Sequence, residues 1–362
     1  MLLILGILAL SLLMIVHEGG HYLVARACNM RVERFAIGIG PTIWRYQPRG
    51  SDTVFQVGLI PFMAYVQIAG QNPFEELEDD DEANFNNGTL FARISTIFAG
   101  PFANYLLASV MFFASALLAG KASTMVEVLP NRPAAEAGIQ KGDRVVAIDG
   151  KPVEHWREIP PLIKDKGENA IRLDLERAGK KIQITATPRE YEGRALLGIS
   201  PQLVPMPISE AGALAIELPA KIVMANINII GRMIAGKEKP QLSGPLGIMR
   251  ESEKAAKNGI ASYIFFIGFI STAVGFFNML PFPALDGGRL MFLGYEGVTR
   301  RRPNQKVEAQ IHTAGMILLL TTLVFVTYRE WGTKKAPSTI AAEQEALEKK
   351  GPDARKSPSS KK

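Results

Sequence analysis

Two histidines four residues apart, His17 and His21, fall on one face of a helix a turn apart, a spacing at which two imidazoles can grip one metal ion. Glu18 projects beside the pair as a carboxylate able to carry a proton. The run His17-Glu18-Gly19-Gly20-His21 is the HExxH signature of zinc hydrolases, so the chemistry it points to is Zn2+-assisted hydrolysis. Two imidazoles and a water leave a catalytic zinc one protein ligand short, and the third is usually His, Glu or Asp.

The element that carries the pair is an apolar run. Met1 to Val16 contain no charge and would rise roughly 24 Å as a helix, most of a hydrocarbon core about 30 Å thick. This places the metal site inside a membrane or at its edge. A secretory signal fits poorly, since the run lacks a basic start and Ala25-Arg26-Ala27 lies beyond the histidines. Ionisable groups are costly in an apolar helix, which favours function over a chance match.

The 362 residues are 47% hydrophobic and 21% charged, enough for a bilayer part and a soluble part. The net charge of +6 does not mark a nucleic-acid binder, because the basic residues cluster beside apolar spans, as topology signals do. Cys28 is the only cysteine, which excludes an intrachain disulfide and a CxxC metal site.

Arg26, Arg31, Arg34, Arg45 and Arg49 against Glu33 mark residues 26–49 as a short cytoplasmic loop, so the first span runs from outside to inside. Residues 53–70 are apolar and β-rich, broken by Gly58 and Pro61 and too short to span; a strand pair or loop dipping into the membrane fits, with an ordinary hairpin as the plain alternative. The acids between Glu75 and Glu82 read as a solvated loop. Leu90 to Gly120 is a second span, with small residues for close packing and Asn104 as an interhelical hydrogen-bonding group or a site residue.

From Lys121 to about Leu203 the chain turns polar, giving a soluble domain outside the membrane. Its expected order is a strand at 125–129, a helical turn at 133–138, a strand at 144–148, a helix near 156–164 and a hairpin of 170–176 with 181–187. This order resembles a PDZ domain of the bacterial protease type, and such domains take extended peptides at a sheet edge. His155 then falls at a helix start, as a structural or peptide-contact residue. Ile208 to Gly236 suits an amphipathic helix on the membrane or the core better than a span, followed by a linker through Lys257. Gly259 to Leu285 is an uncharged third span ending in Asn278-Met279-Leu280-Pro281-Phe282-Pro283-Ala284-Leu285-Asp286-Gly287-Gly288, where two prolines preclude a regular helix. Arg289, Arg300, Arg301, Arg302 and Lys306 form a second cytoplasmic loop, Ala309 to Tyr328 a fourth span, and 329–362 a disordered tail.

Parity then brings Asp286 to the side of His17 and His21, because the first and third spans run the same way. Asp286 is the expected third ligand; His312 is its rival, or else an interfacial or packing residue.

HEGGH in the first span, AGPFAN in the second, a PDZ-like domain and NMLPFPALDGG in the third resemble the site-2 protease family of intramembrane zinc metalloproteases, of the bacterial sigma-E-regulator type, here with a single PDZ domain. The resemblance implies an α-helical polytopic membrane protein: four transmembrane helices and a re-entrant β segment, with an inserted small β-rich PDZ-like domain. Its expected parts are 1–120 with the first two spans and the segment at about 53–70, 121–203 PDZ-like, 204–257 amphipathic helix and linker, 258–328 with spans three and four, and the tail. It further implies Zn2+ on His17, His21 and Asp286, Glu18 as catalytic base, and Asn278, Tyr65 and Val66 holding the substrate. Met63-Ala64 stand before Tyr65-Val66 where relatives commonly show Gly-Gly. Expected partners are single-span membrane proteins and the lipid bilayer, with an upstream site-1-type protease and no nucleic acid. The expected place is the bacterial inner membrane, with the PDZ-like domain outside and the active site towards the cytoplasm. A non-proteolytic PDZ-bearing scaffold or chaperone, and a metal transporter, are the competing classes; the second and fourth spans offer no polar path for transport.

Overall fold

The computed structural model describes residues 2–71, 83–191, 194–237 and 244–332. The acidic stretch at 75–82 lies outside the described residues, as does the tail beyond 332.

Apolar composition makes the first element a single helix, α1 (Leu2–Ala27), with both histidines in its C-terminal half. Two strands follow, β1 (Val32–Tyr46) and β2 (Val54–Ile68), paired antiparallel. Residues 26–49, expected as a loop from their arginines, are mostly the strand β1. Neither strand is straight. Residues from Val32↔Ile68 to Ile39↔Ile60 face one another, Thr42–Tyr46 face Gly58–Phe55, and Arg34–Ile37 also face Val54–Val57. The pair is therefore a bent sheet in the order 60–68, 32–39, 54–57, 42–46, with Ile60–Ile68 outermost. Gly58 permits the fold-back, since a Cβ there would stand 2.7 Å from the Ile39 carbonyl oxygen. At the far end Ile43, Trp44 and Leu59 are 63%, 52% and 59% exposed.

α2 (Leu90–Ala119) begins at Thr89, whose hydroxyl accepts the Ala92 N–H at 3.2 Å, and ends at Gly120 with φ 71°. Small residues set its contacts. Gly20 of α1 rests on the Ala99 carbonyl and the Ala103 methyl, and Gly275 of a later helix sits against Pro101.

The polar stretch forms β3 (Lys121–Val128), α3 (Pro133–Glu136), β4 (Arg144–Ile148), β5 (Lys151–Pro152), α4 (Ile159–Lys164), β6 (Ile171–Arg177), β7 (Lys180–Ala186), β8 (Arg189–Tyr191), β9 (Arg194–Leu196) and β10 (Ile199–Val204). One sheet runs β10-β3-β4-β6-β7, with β5 on β4, and β8-β9 is a separate hairpin. Ala178 and Gly179, at φ 48° and 78°, make the two-residue turn between β6 and β7. Val126, Val145, Ile148, Ile159, Ile171 and Leu173 fill the core. His155 precedes a helical turn at 156–158 and gives its N–H to Glu158 at 3.3 Å, a capping role. The sequence reading missed β8, β9 and β10, which are short or end a domain.

α5 (Ile208–Ile234) is one continuous helix whose Ala215 packs on Ala108 and Phe112 of α2. α6 (Pro245–Lys257) is amphipathic and touches α1, Gly6 lying beside Met249. α7 (Ile260–Asn278) stops before Pro281 and Pro283, α8 (Asp286–Thr299) starts at the aspartate, and α9 (Gln305–Gly332) closes the described chain. Tyr263 of α7 donates to the Leu5 carbonyl at 2.7 Å, so the starts of α1 and α7 lie together and the two helices run the same way. Among the described residues five helices have the length and composition to cross a membrane, at 5–27, 90–119, 208–234, 260–278 and 305–330. The one beyond the expected four is α5, set by the four-span count on the membrane or the core; its Glu217 and Lys221 pair with each other at i, i+4, and Glu210 pairs with Lys121 at 2.7 Å. Arg329 and Glu330, assigned to the tail, continue α9.

Candidate metal centre

His17 and His21 are 4% and 6% exposed on the last turns of α1. Nδ1 of His21 lies 2.8 Å from the Thr96 carbonyl oxygen of α2, an acceptor only, so the ring proton sits on Nδ1 and the Nε2 lone pair faces inward. Nδ1 of His17 lies 3.1 Å from the side-chain amide of Asn104, whose Oδ1 is buried without a hydrogen bond among the described residues. Turning that amide over would give Oδ1 the His17 Nδ1 proton, freeing the second Nε2 lone pair in the same way. Asn104 thus serves as both alternatives read from its sequence position, an interhelical bond and a contact to the site.

Asp286 arrives from α8. The turn before it is compact because Gly287 and Gly288 lie against the carbonyls of Met279, Leu280 and Phe282. Its Oδ2 stands 3.0 Å from His17 Nε2 and 3.5 Å from His21 Nε2, and the two Nε2 atoms are 3.3 Å apart. Tetrahedral zinc with ligands at about 2.1 Å requires ligand separations of roughly 3.4 Å. Oδ2 is buried and has no hydrogen-bond donor among the described residues. With that amide turned, three lone pairs face one another with no proton between them, an arrangement that fits a cation, and this donor set fits zinc.

Glu18 follows His17 on α1, and its Oε2 accepts the Val66 N–H at 3.0 Å. The outermost strand segment is thereby tied to the carboxylate. Tyr65 is half exposed, and its hydroxyl accepts a bond from Gln56 at 3.0 Å. Asn278 ends α7 half-buried, and among the described residues it makes no hydrogen bond to His17, Glu18, His21 or Asp286. His312 does not join the ligands; its Nδ1 accepts the Ala284 N–H at 2.9 Å.

Sequence reasoning missed two contributors on the α2 face. Thr96 acts through its backbone carbonyl, which leaves no side-chain signal. Gly100 lies flat against the His21 ring, where an added Cβ would collide with Nε2. Thr96 and Gly100, one turn apart on α2, therefore hold the His21 ring, and Asn104 a turn further on meets His17. Lower on the same face Arg93, with its side chain 6% exposed, pairs with Glu296 of α8, Nη1 to Oε2 at 3.0 Å, and so ties the aspartate-bearing helix to α2.

Converging imidazoles and carboxylate within a bundle of long apolar helices define a membrane metallohydrolase class. Residues 5–322 match Peptidase family M50, and the chain belongs to that family, the site-2 proteases; it is a zinc metalloprotease. It is similar to a Mesorhizobium japonicum protein named as a zinc metalloprotease, 33% identical over 89% of this chain and 96% of the relative. A Clostridium perfringens protein named likewise is 32% identical over 91% and 98%. The regulator of sigma E protease of Salmonella typhi is 26% identical over 90% and 97%. Among solved structures, the PDZ domain of an SdrC-like protein from Listeria monocytogenes is 21% identical, covering 23% of this chain and 87% of that one at a TM-score of 0.20.

Proposed function

We propose that the chain hydrolyses peptide bonds within or beside the transmembrane helices of single-span membrane proteins, such as anti-sigma factors or signal-peptide remnants, in the bacterial inner membrane. The observation that carries this reading is the meeting of three lone-pair donors, from α1 and α8, beside a carboxylate bonded to a strand edge. His17, His21 and Asp286 are the zinc ligands. Zinc, when bound, polarises a carbonyl and lowers the pKa of water towards ~7. Glu18 takes the proton of the attacking water and later gives it to the leaving nitrogen.

A helical substrate hides its carbonyls in its own hydrogen bonds and must unwind to be cut. Pairing the unwound stretch with Ile60–Ile68, the outermost segment, replaces those bonds where bulk water is absent. The Val66 N–H reaches Glu18, so a strand added there lies beside the base. Tyr65, Val66 and Asn278 hold the substrate in this scheme, and the exposed apolar end of the sheet, at Ile43, Trp44 and Leu59, dips into lipid.

The two basic stretches, at 26–49 and 289–306, favour a cytoplasmic placement of the metal centre and an extracytoplasmic β-rich domain. With α1, α2, α7 and α9 as the four spans, α5 lies along the bundle. Strand, helical turn, strand, helix and hairpin in that order support a PDZ-like fold for 121–203, and we assign it the screening of substrates by size. A new C-terminus left by an upstream site-1-type protease is its other candidate ligand.

The test expresses wild type and Glu18→Gln with a panel of single-span membrane proteins. Shortened products with wild type alone support proteolysis; equal activity of both would leave a scaffold or chaperone.

A further inference from the structure

Pro283, Ala284 and Leu285 immediately precede Asp286, and their backbone decides where that carboxylate stands. Ala284 sits at φ 76°, left-handed territory that a residue with a Cβ seldom occupies without support. The support comes from α9. Nδ1 of His312 accepts the Ala284 N–H at 2.9 Å, and one turn on Gly315 rests against Pro283, where a Cβ would stand 2.7 Å from the carbonyl oxygen. The Phe292 ring of α8 lies 5.6 Å from the imidazole, centre to centre, on the side of the helix that Asp286 begins. An imidazole that accepts at Nδ1 carries its proton on Nε2, and that atom is buried without a partner among the described residues. The ring is neutral and fixed in one tautomer, and its hydrogen bond is to backbone.

We infer that His312 is a positioning residue: through the Ala284 N–H it holds the turn that presents Asp286 to His17 and His21, and so sets the affinity of the centre for zinc. The inference rests on the reading of Asp286 as a ligand. It differs from a ligand role for His312, because the ring faces the turn and not the three converging atoms.

The experiment uses the full chain in detergent micelles, with H312N, H312Q and D286A. An asparagine amide oxygen can take the place of Nδ1, whereas glutamine reaches towards Nε2 and leaves the Ala284 N–H unpaired. Zinc dissociation constants are measured by chelator competition, cobalt absorption bands report ligand geometry, and cleavage gives kcat and KM. Expected are wild-type affinity and bands for H312N, and for H312Q a zinc affinity about 10–100-fold weaker with altered bands and a fall in kcat at little-changed KM. Equal impairment of H312N and H312Q, or none in H312Q, overturns the inference. D286A separates the two levels: if it binds zinc as wild type does, the ligand assignment fails and this inference with it, whereas loss in D286A without loss in H312Q sinks the inference alone. Should H312Q not fold, G315A carries the test by pressing on Pro283 with the imidazole intact; weakened zinc binding in the folded protein supports the inference, and unchanged binding overturns it.

Discussion

Gly100 of α2 lies flat against the imidazole of His21, and a Cβ on it would collide with the metal-facing Nε2. Gly100→Ala is therefore expected to displace the ring and weaken zinc binding by at least about tenfold, with cleavage lost in proportion. Metal content of the purified protein beside a melting curve checks it: a folded protein with normal zinc would show that the ring yields freely.

The apolar end of the β1–β2 sheet offers a second measurement. With Trp156 and Trp331 changed to phenylalanine, Trp44 remains the only tryptophan. In vesicles its emission is expected to be blue-shifted and quenched by lipids brominated in the acyl chains. Emission at the wavelength of a hydrated indole, unaffected by those lipids, would place the sheet end in water and refute the re-entrant reading.

Arg93 and Glu296 form a buried pair that joins α2 to α8. Removing one partner leaves the other charge buried, so Arg93→Met is expected to cost about 3–5 kcal/mol. Among the described residues Glu296 would keep only the Arg302 ion pair, at 3.7 Å. The double variant Arg93→Met with Glu296→Leu is expected to recover most of that loss. Thermal melting in detergent reads both.

Asp143 makes the β-rich domain sensitive to acid. Burial by itself would raise its carboxyl, but the Arg177 guanidinium, 2.7 Å from each oxygen, and the Gln140 N–H at 2.9 Å outweigh it and hold Asp143 below the usual carboxylate range. A folded-state pKa below the unfolded value of about 3.9 gives stability that is full above that pH and lost as pH falls through the folded value. Arg177→Met is thus expected to be less stable than wild type at pH 7, with the gap closing below about pH 4. Denaturant melts across that range, followed through Trp156, check the sign.

Legibility followed the kind of group involved. The histidine pair could be read because a four-residue spacing has one meaning on a helix, and Asp286 because two spans running the same way bring its end of the chain to theirs; Tyr263 on Leu5 bears out that direction. Thr96 and Gly100 escaped because one works through a carbonyl every residue owns and the other by having no side chain. The long strand Val32–Tyr46 was hidden by arginines that mark a cytoplasmic loop equally well, and Gly58 and Pro61 read as breaks where the chain simply bends. For α5, charges that neutralise one another at i, i+4 weakened a pattern of spanning length.

Among the described residues the segment Ile60–Ile68 has a strand neighbour on one side only, and what it offers on the other is main chain. A cleft that rewards amides and carbonyls is nearly blind to spelling. Under the proposed activity, selection among client proteins would then rest on how readily each one's helix frays, so that a glycine or proline near the cut would matter more than any consensus sequence around it.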